Sequence, residues 1–166
     1  MYYGTINKNL GDTFIVVWKV HELDSYFDGD LDSVIINESH ICDLALLGCL
    51  KSIASINKYK HIRAYRHNEE IAKYIPDYNV EVVFGLHVGM AFEGAVGSQW
   101  KIDATFVSPD VTVASRLSIA TDYYDVPILF SEKLFSTLSN EFKNMCRVID
   151  CVTIKGVPEP QHLFTI

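Results

Sequence analysis

The sequence predicts an α/β fold, built as an α+β sandwich. β-rich runs and helix-like segments alternate irregularly along the 166 residues, which is typical of that class. Apolar residues make up 49% of the chain and charged residues 21%, so we expect a folded core despite the formal net charge of −7. No repeat, linker or low-complexity stretch divides the sequence. We therefore expect one domain over residues 1–166.

The first two β-rich runs predict a hairpin. "YYGTI" and "FIVVWKV" flank "NKNLGD", whose Asn, Gly and Asp residues suit a tight turn with Asp12 at its tip. The acidic "HELDSYFDGDLDS" follows, and its spacing from Asp28 is similar to a calcium loop. The sixth and twelfth positions are Ser33 and Ser39 instead of the required glycine and glutamate, so we interpret it as a solvated loop.

A core-facing helix is predicted over "ESHICDLALLGCLKSIASINKYK". The residues that recur there at helical spacing are Ile41, Leu44, Leu47 and Ile53. The polar "HIRAYRHNEEIAKYIPDYN" predicts a short helix and a turn near Pro76. "VEVVFGLHVG" and "AFEGAVG" then predict a second hairpin, around Gly89.

The C-terminal part alternates strands with helices. A strand is expected at Trp100, followed by a helix that begins at Pro109 and ends at about Thr121. "VPILFS" predicts a buried strand and "EKLFSTLSNEFK" a helix. "CRVIDCVTIKG" and "HLFTI" predict a closing pair of strands.

Charge and composition exclude several classes of protein. The net acidic chain has no overall electrostatic reason to bind nucleic acid or an anionic membrane, and it leaves room only for a local basic pocket. We find no signal peptide and no apolar run near the roughly 20 residues of a membrane span. The cysteines lack zinc or redox spacing, so we expect buried or half-buried thiols in a reducing, intracellular compartment. They are Cys42, Cys49, Cys146 and Cys151.

Five charged residues indicate a function only when they are considered together. Taken singly, Lys8, Asp103 and Lys155 are ordinary solvated charges, Asp12 forms a turn, and Arg116 suits an interface ion pair. A lone histidine on a strand, His87, is more often structural than catalytic. The glycines of "GLHVGMAFEGAVG" do not separate a strand from a phosphate-binding helix, so they form no dinucleotide fingerprint.

Four blocks in register resemble the catalytic domain of the class III adenylyl/guanylyl cyclases. They are "NLGDTFIVVWK", "GLHVGMAFEGAVGS", "WKIDATFVSPDVTVASRL" and "VTIKGVPEPQHLFTI", and the resemblance runs from about Asn7 to Ile166. It implies a class III nucleotide cyclase-like fold with a ferredoxin-like core. In that family two domains pair head to tail, and ATP or GTP lies in the groove between them.

The resemblance implies a role for each charged residue. Lys8 and Asp103 match the family's base-reading lysine and aspartate. A donor to adenine N1 and an acceptor for the N6 amine favour ATP over GTP. Arg116 matches the arginine that stabilises the pentacovalent phosphorus, and Lys155 matches the phosphate-holding lysine. Asp12 matches the second of two aspartates that bind paired magnesium or manganese ions.

Two departures from the family's pattern predict impaired catalysis. Thr112 stands one helical turn before Arg116, where the family has an asparagine. Loss of such a donor commonly costs ~10²–10³ in rate. The family's first strand, with its metal aspartate, and its first two helices precede the hairpin, whereas the eleven residues before Asp12 contain no carboxylate. We expect another chain to cover the incomplete sheet.

The functional hypothesis is a degenerate cyclase-like domain, inactive alone, that acts as a binding or scaffold module in a larger assembly. The alternative is the substrate-reading half of a heterodimeric adenylyl cyclase that converts ATP to cyclic AMP and pyrophosphate. Expected partners are a second cyclase-like domain or a chain that supplies the missing strand, with no nucleic acid. The wording of "GLHVG" and "KIDA" is similar to cyclase-like domains of large protist proteins. We therefore expect a cytoplasmic place in a cytoskeletal, ciliary or membrane-associated complex.

Overall fold

The structure is a computed structural model that describes residues 2–20, 38–155 and 157–166. The predicted acidic loop with its calcium-like spacing lies outside the described residues. The helices and strands found in the described ranges mix both types along the chain, which confirms the α+β class. The predicted first hairpin, the buried strand and the closing strand pair are all present.

The strands of the described residues form three sheets. In chain order they are β1 (Thr5–Asn9), β2 (Phe14–Val17), β3 (Phe84–Leu86), β4 (Phe92–Gly97), β5 (Ile102–Val107), β6 (Ile128–Ser131), β7 (Arg147–Val152) and β8 (Gln161–Thr165). β1 pairs with β2 and β4 pairs with β5, both antiparallel. The four-stranded sheet has the order β3-β6-β8-β7, in which only the β3–β6 pair is parallel.

The helices are two long ones and several of a single turn or slightly more. They are α1 (Glu38–Lys58), α2 (Lys60–Arg63), α3 (Glu69–Ala72), α4 (Pro109–Tyr124), α5 (Glu132–Thr137) and α6 (Asn140–Lys143), with a 3₁₀ helix at Ala64–His67. Ser108 caps α4 by accepting a hydrogen bond from the N–H of Asp110, and Pro109 occupies the first turn. α4 ends at Tyr124, three residues beyond the predicted Thr121, and Asp125 after it has a left-handed backbone.

The four-stranded sheet lies between α1 and α4. Successive side chains of a strand point to opposite faces, so β6 presents Ile128 and Phe130 to the α1 side and Leu129 to the α4 side. Leu46 of α1 and Leu117 of α4 are buried on the two faces. This packing is the expected sandwich, and it holds the N-terminal end of α4 beside the ends of β3 and β6.

The buried face of α1 differs from the prediction. The residues that it buries are Ile41, Cys42, Ala45, Leu46 and Cys49. Leu44, Leu47 and Ile53 are only half-buried. Apolar residues occur nearly all round this helix, so spacing alone does not select the face that packs on the sheet. By length and composition alone α1 could also cross a membrane.

The predicted hairpin around Gly89 is wrong. β3 pairs in parallel with β6, and β4 forms its hairpin with β5 through a turn in which the N–H of Ser98 donates to the carbonyl of Lys101 at 2.8 Å. A Cβ atom at Gly89 would come within 2.1 Å of the Asp110 carboxylate. The glycine therefore serves close approach of the backbone to α4, not a turn.

Two smaller differences concern the C-terminal half. The single helix predicted over "EKLFSTLSNEFK" is divided into α5 and α6, because Leu138 is extended and Ser139 caps a new helix at the N–H of Phe142. Cys151 is exposed, whereas a buried or half-buried thiol was expected. The other three cysteines are buried or half-buried, as predicted.

Much apolar surface stays uncovered in the part of the chain that the structure describes. Among the described strands, β3 pairs on one side only and neither hairpin joins the four-stranded sheet. All six residues of β4 are exposed, and Phe92 keeps 85% of its surface accessible. Trp100 and Ile102, beside it in the hairpin, are exposed at 87% and 70%. Exposed apolar faces and unpaired strand edges of this kind are typical of surfaces that pack against another segment, and completion of the sheet by another chain stays a prediction.

Candidate functional site

A cavity of about 780 Å³ lies between the two hairpins, and Lys8 and Asp103 both line it. Lys8 belongs to β1 and Asp103 to β5. Their positions are 95 residues apart in the sequence, so only the packing of one hairpin against the other brings them together. The cavity therefore contains both side chains that the resemblance assigns to base reading.

Contacts between the hairpins fix the walls of this cavity. The side-chain amide of Asn7 donates to the carbonyl of Ala104 at 3.3 Å. The ammonium group of Lys19 lies 2.7 Å from a carboxylate oxygen of Glu93 and 5.7 Å from the ring centroid of Phe106. One contact is on the β1 strand and the other follows β2, so both strands of the first hairpin are held against the second.

A β-bulge in β1 positions Asn7 and Lys8. Ile6 pairs with Val16 and Lys8 pairs with Ile15, so Asn7 has no partner of its own in the ladder. Such an extra residue re-aims neighbouring side chains and increases the local twist. Asn7 is therefore free to reach the second hairpin while Lys8 still lines the cavity.

Asp103 forms a weak ion pair with Lys101. Its carboxylate lies 3.2 Å from the ammonium group of Lys101, and the two side chains are 55% and 79% exposed. An exposed pair of this kind contributes about 0–1 kcal/mol, so a ligand can replace or share it at little cost. The Asp103 carboxylate retains further lone pairs and can accept hydrogen bonds from an exocyclic amine.

The other four predicted site residues do not line the cavity. Thr112 is exposed and Arg116 half-buried, both on α4 and four residues apart. Asp12 is exposed in the first turn, where it accepts a hydrogen bond from the hydroxyl of Thr13 at 3.0 Å. Lys155 is exposed after β7. The fold thus assembles the two base-reading candidates and leaves the phosphate and metal candidates outside their cavity.

The described residues do not assemble a site for the magnesium or manganese ions that the resemblance implies. Among them no group of three or more His, Cys, Asp or Glu side chains lies close enough together to hold a metal. Asp12 offers a single carboxylate in an exposed turn, and Mg²⁺ needs more oxygen ligands than that. Further carboxylates would have to come from elsewhere.

A polar network that the sequence did not predict lies at the start of α4. The side chain of His87 is only 7% exposed, and its Nε2 lies 3.0 Å from a carboxylate oxygen of Asp110. A carboxylate can only accept, so Nε2 carries the proton and donates. His87 Nδ1 then accepts from the hydroxyl of Ser131, 2.6 Å away. The second oxygen of Asp110 accepts from the N–H of Met90 at 3.1 Å.

The network joins the ends of β3 and β6 to the first turn of α4. Thr112 and Arg116 belong to the same helix. Burial lowers the pKa of His87, and this outweighs the neighbouring Asp110, which acts in the opposite direction. The neutral imidazole therefore makes both hydrogen bonds at neutral pH. The only sequence signal was a histidine between glycines in "GLHVG", and we interpreted it as structural.

The cyclase resemblance is reproduced by comparison with known proteins. No family model matches the sequence. A curated adenylate cyclase from Anabaena cylindrica is 33% identical over 88 residues, which are 52% of this chain and 18% of that protein. A bacterial light-regulated adenylyl cyclase superposes with a TM-score of 0.68 at 20% identity, covering 99% of this chain and 39% of that one. A guanylyl cyclase superposes with a TM-score of 0.60 at 17% identity, covering 98% of this chain and 69% of that one.

These similarities confirm that the chain has the class III cyclase fold. The chain spans 18% of the length of the curated relative and 39% of the light-regulated cyclase, so those proteins contain much more than this domain. Both adenylyl and guanylyl cyclases share the fold. The fold alone therefore indicates no particular nucleotide.

Proposed function

We propose that this chain, whose fold is that of the class III cyclases, binds an adenine nucleotide but does not cyclise it alone. It acts as a binding or scaffold module within a larger assembly. The observation that carries this proposal is that Lys8 and Asp103, the two residues matched to base reading, line the same cavity, which Lys19, Lys101 and Glu93 also line. The volume of about 780 Å³ falls within the range of small-molecule sites, ~300–1,000 Å³.

The polarity of the pair favours adenine. The resemblance implies that Lys8 faces N1 and Asp103 faces the 6-substituent of the base. Adenine N1 accepts a hydrogen bond and its N6 amine donates, so in that orientation the donor and the acceptor are complementary to adenine. Guanine presents a donor at N1 and an acceptor at O6, which is the opposite arrangement. A charged partner makes each hydrogen bond worth more than a neutral one.

Cyclisation requires groups that the described part of this chain does not assemble. Arg116 and Lys155 lie outside the cavity, and Asp12 stands as a single carboxylate in its turn. Thr112 replaces the amide donor of the resembling pattern with a shorter hydroxyl. Nucleotide binding is thus better supported than catalysis by the isolated chain.

Calorimetric titration with ATP and with GTP tests the proposal. ATP should bind more tightly than GTP, and Lys8→Ala and Asp103→Ala should each weaken ATP binding about 10-fold, the equivalent of one charge-assisted hydrogen bond near the lower end of its range. Lys143→Ala is the matched control, because Lys143 does not line the cavity. Accumulation of cyclic AMP well above a blank, by the pure chain with Mg²⁺ or Mn²⁺, would contradict inactivity.

A second candidate function is the substrate-reading half of a heterodimeric adenylyl cyclase. The exposed apolar residues of the β4–β5 hairpin favour it. Large exposed side chains such as Phe92 and Trp100, on a hairpin that lines the cavity, are typical of a surface that a partner covers. A partner cyclase domain covering that hairpin would supply the metal carboxylates. Co-expression with such a domain should produce cyclic AMP that depends on Arg116, whereas activity that survives Arg116→Ala would refute this candidate.

A further inference from the structure

A cluster of cations follows α1 in an otherwise acidic chain. Residues 57–68 contain four Lys or Arg and two His but no Asp or Glu, so this segment has a formal charge of +4 in a chain of −7. The four side chains are all exposed and are Lys58, Lys60, Arg63 and Arg66. No residue of α2, of the 3₁₀ helix or of α3 is buried. The segment is therefore placed on the outside of the fold.

The local helices align these cations. Lys60, Arg63 and Arg66 recur every three residues through α2 and the 3₁₀ helix that continues it, which puts them on one side. Arg66 is anchored, because its Nε donates to the side-chain carbonyl of Asn79 at 2.9 Å. Within the described ranges, Lys58, Lys60 and Arg63 form no ion pair.

Exposed amphipathic and apolar side chains accompany the cations. Tyr74 is 86% exposed and Ile75 is 54% exposed, directly after α3. Tyr59 and Tyr65 are also exposed and flank the half-buried Ile62 at spacings of three residues. We use the name basic surface for this set: Lys58, Tyr59, Lys60, Arg63, Tyr65, Arg66, Tyr74 and Ile75.

We propose that the basic surface binds peripherally to a bilayer that contains anionic phospholipid. Lipid carboxylates and phosphates attract the cations, while tyrosine rings and an aliphatic side chain suit the boundary between headgroups and acyl chains. The nearest carboxylates, Glu69 and Glu70 of α3, do not cancel the cations, because residues 57–75 contain five Lys or Arg against these two and have a formal charge of +3. At physiological ionic strength charges are screened over about 8 Å, so the nearest charges dominate.

The shape of the surface favours a bilayer over a peptide or a nucleic acid. No member of the basic surface lines either of the two cavities described, including the smaller one of about 270 Å³ beside His87. A peptide ligand needs a groove, whereas a bilayer does not. Nucleic acid would use the cations and the tyrosines but gives no role to the exposed Ile75. The surface shares no residue with the nucleotide cavity, so the two proposals stand or fall separately.

Vesicle flotation tests this proposal directly. The full chain should float with vesicles of phosphatidylcholine mixed with phosphatidylserine and stay behind with phosphatidylcholine alone, and added salt should weaken binding. Each cation near the surface is worth about fivefold, so the variant that combines Lys58→Gln, Lys60→Gln and Arg63→Gln should bind on the order of 100-fold more weakly. Replacing Tyr74 and Ile75 by serine should also weaken binding, with little dependence on salt.

The matched control removes three cations elsewhere: Lys133→Gln, Lys143→Gln and Arg147→Gln. It has the same net charge as the first triple variant and should float like the unaltered protein. Circular dichroism melting shows whether every variant folds. Any one of four results would overturn the proposal. They are the absence of flotation, equal binding to both vesicle types, equal losses of binding in the two triple variants, and capture by a single-stranded oligonucleotide without vesicle binding.

Discussion

Replacement of His87 by alanine should remove about 3 kcal/mol of unfolding free energy. The imidazole donates to the Asp110 carboxylate at 3.0 Å and accepts from the Ser131 hydroxyl at 2.6 Å, with its side chain only 7% exposed. A hydrogen bond to a charged group contributes ~1.5–3 kcal/mol and a neutral one ~0.5–1.5 kcal/mol, so the sum is roughly 2–4 kcal/mol. For a chain of 166 residues this corresponds to a fall in Tm of roughly 6–12 °C.

Differential scanning calorimetry measures this change, with His67→Ala as the control. His67 is exposed, so its removal should alter the unfolding free energy by less than ~0.5 kcal/mol. If His87→Ala melts within 2 °C of the unaltered protein, at a precision of about 1 °C, the network does not hold α4 and the reasoning fails.

The same network predicts a pH dependence with a definite sign. Burial lowers the pKa of His87 in the folded state, so the unfolded chain binds more protons between the folded pKa and the ordinary value of about 6.5. The contribution of His87 to stability is therefore complete above pH ~6.5 and declines as the pH falls below it. Asp110 and Lys133 are the charged groups facing the ring, and their effects oppose each other. Stability curves of His87→Ala and the unaltered protein should converge on acidification.

Four other substitutions test the packing and the site, one of them as a control. Gly85→Ala should lower the free energy of unfolding by more than about 3 kcal/mol, because a Cβ atom would lie 2.1 Å from the backbone nitrogen of Ser118. At Gly94 a Cβ atom would meet nothing within 4 Å, so Gly94→Ala should be neutral or stabilising by ~0.5 kcal/mol. Thermal melts compare the two variants. Leu46→Ala, in the fully buried face of α1, should cost ~2–5 kcal/mol in denaturant unfolding, and a cost under 1 kcal/mol would contradict the core assignment. In an active heterodimer Thr112→Asn should raise kcat ~10²-fold, and an unchanged or lower kcat would exclude the missing amide donor as the cause of weak catalysis.

The sequence alone predicted the sandwich, the start of α4, the buried β6 and the closing strand pair, because each has a strong local signal. Pro109 marks a helix start, and "VPILFS" is apolar at nearly every position. The pairing of β3 with β6 was missed because partners distant in sequence leave no local mark, and a glycine before α4 resembled a turn.

The candidate site was predictable only in part, for a related reason. Motif order identified Lys8 and Asp103, and the packing of two hairpins then placed both in one cavity. The same order grouped Arg116 and Lys155 with them, yet neither lines that cavity. Residue identity says which chemistry is available, whereas long-range packing decides which groups meet. The role of His87 likewise depends on Asp110 and Ser131, which come from two other elements.

Base reading by Lys8 and Asp103 is tested most directly with two ATP analogues, one with carbon in place of N1 and one without the 6-amino group. Each should bind the unaltered protein about 10-fold more weakly than ATP does, because each lacks one partner of the charged pair. The deficit of the first analogue should vanish in Lys8→Ala, and that of the second should vanish in Asp103→Ala. Deficits that persist unchanged in those variants, or analogues that bind the unaltered protein as tightly as ATP, would contradict the account.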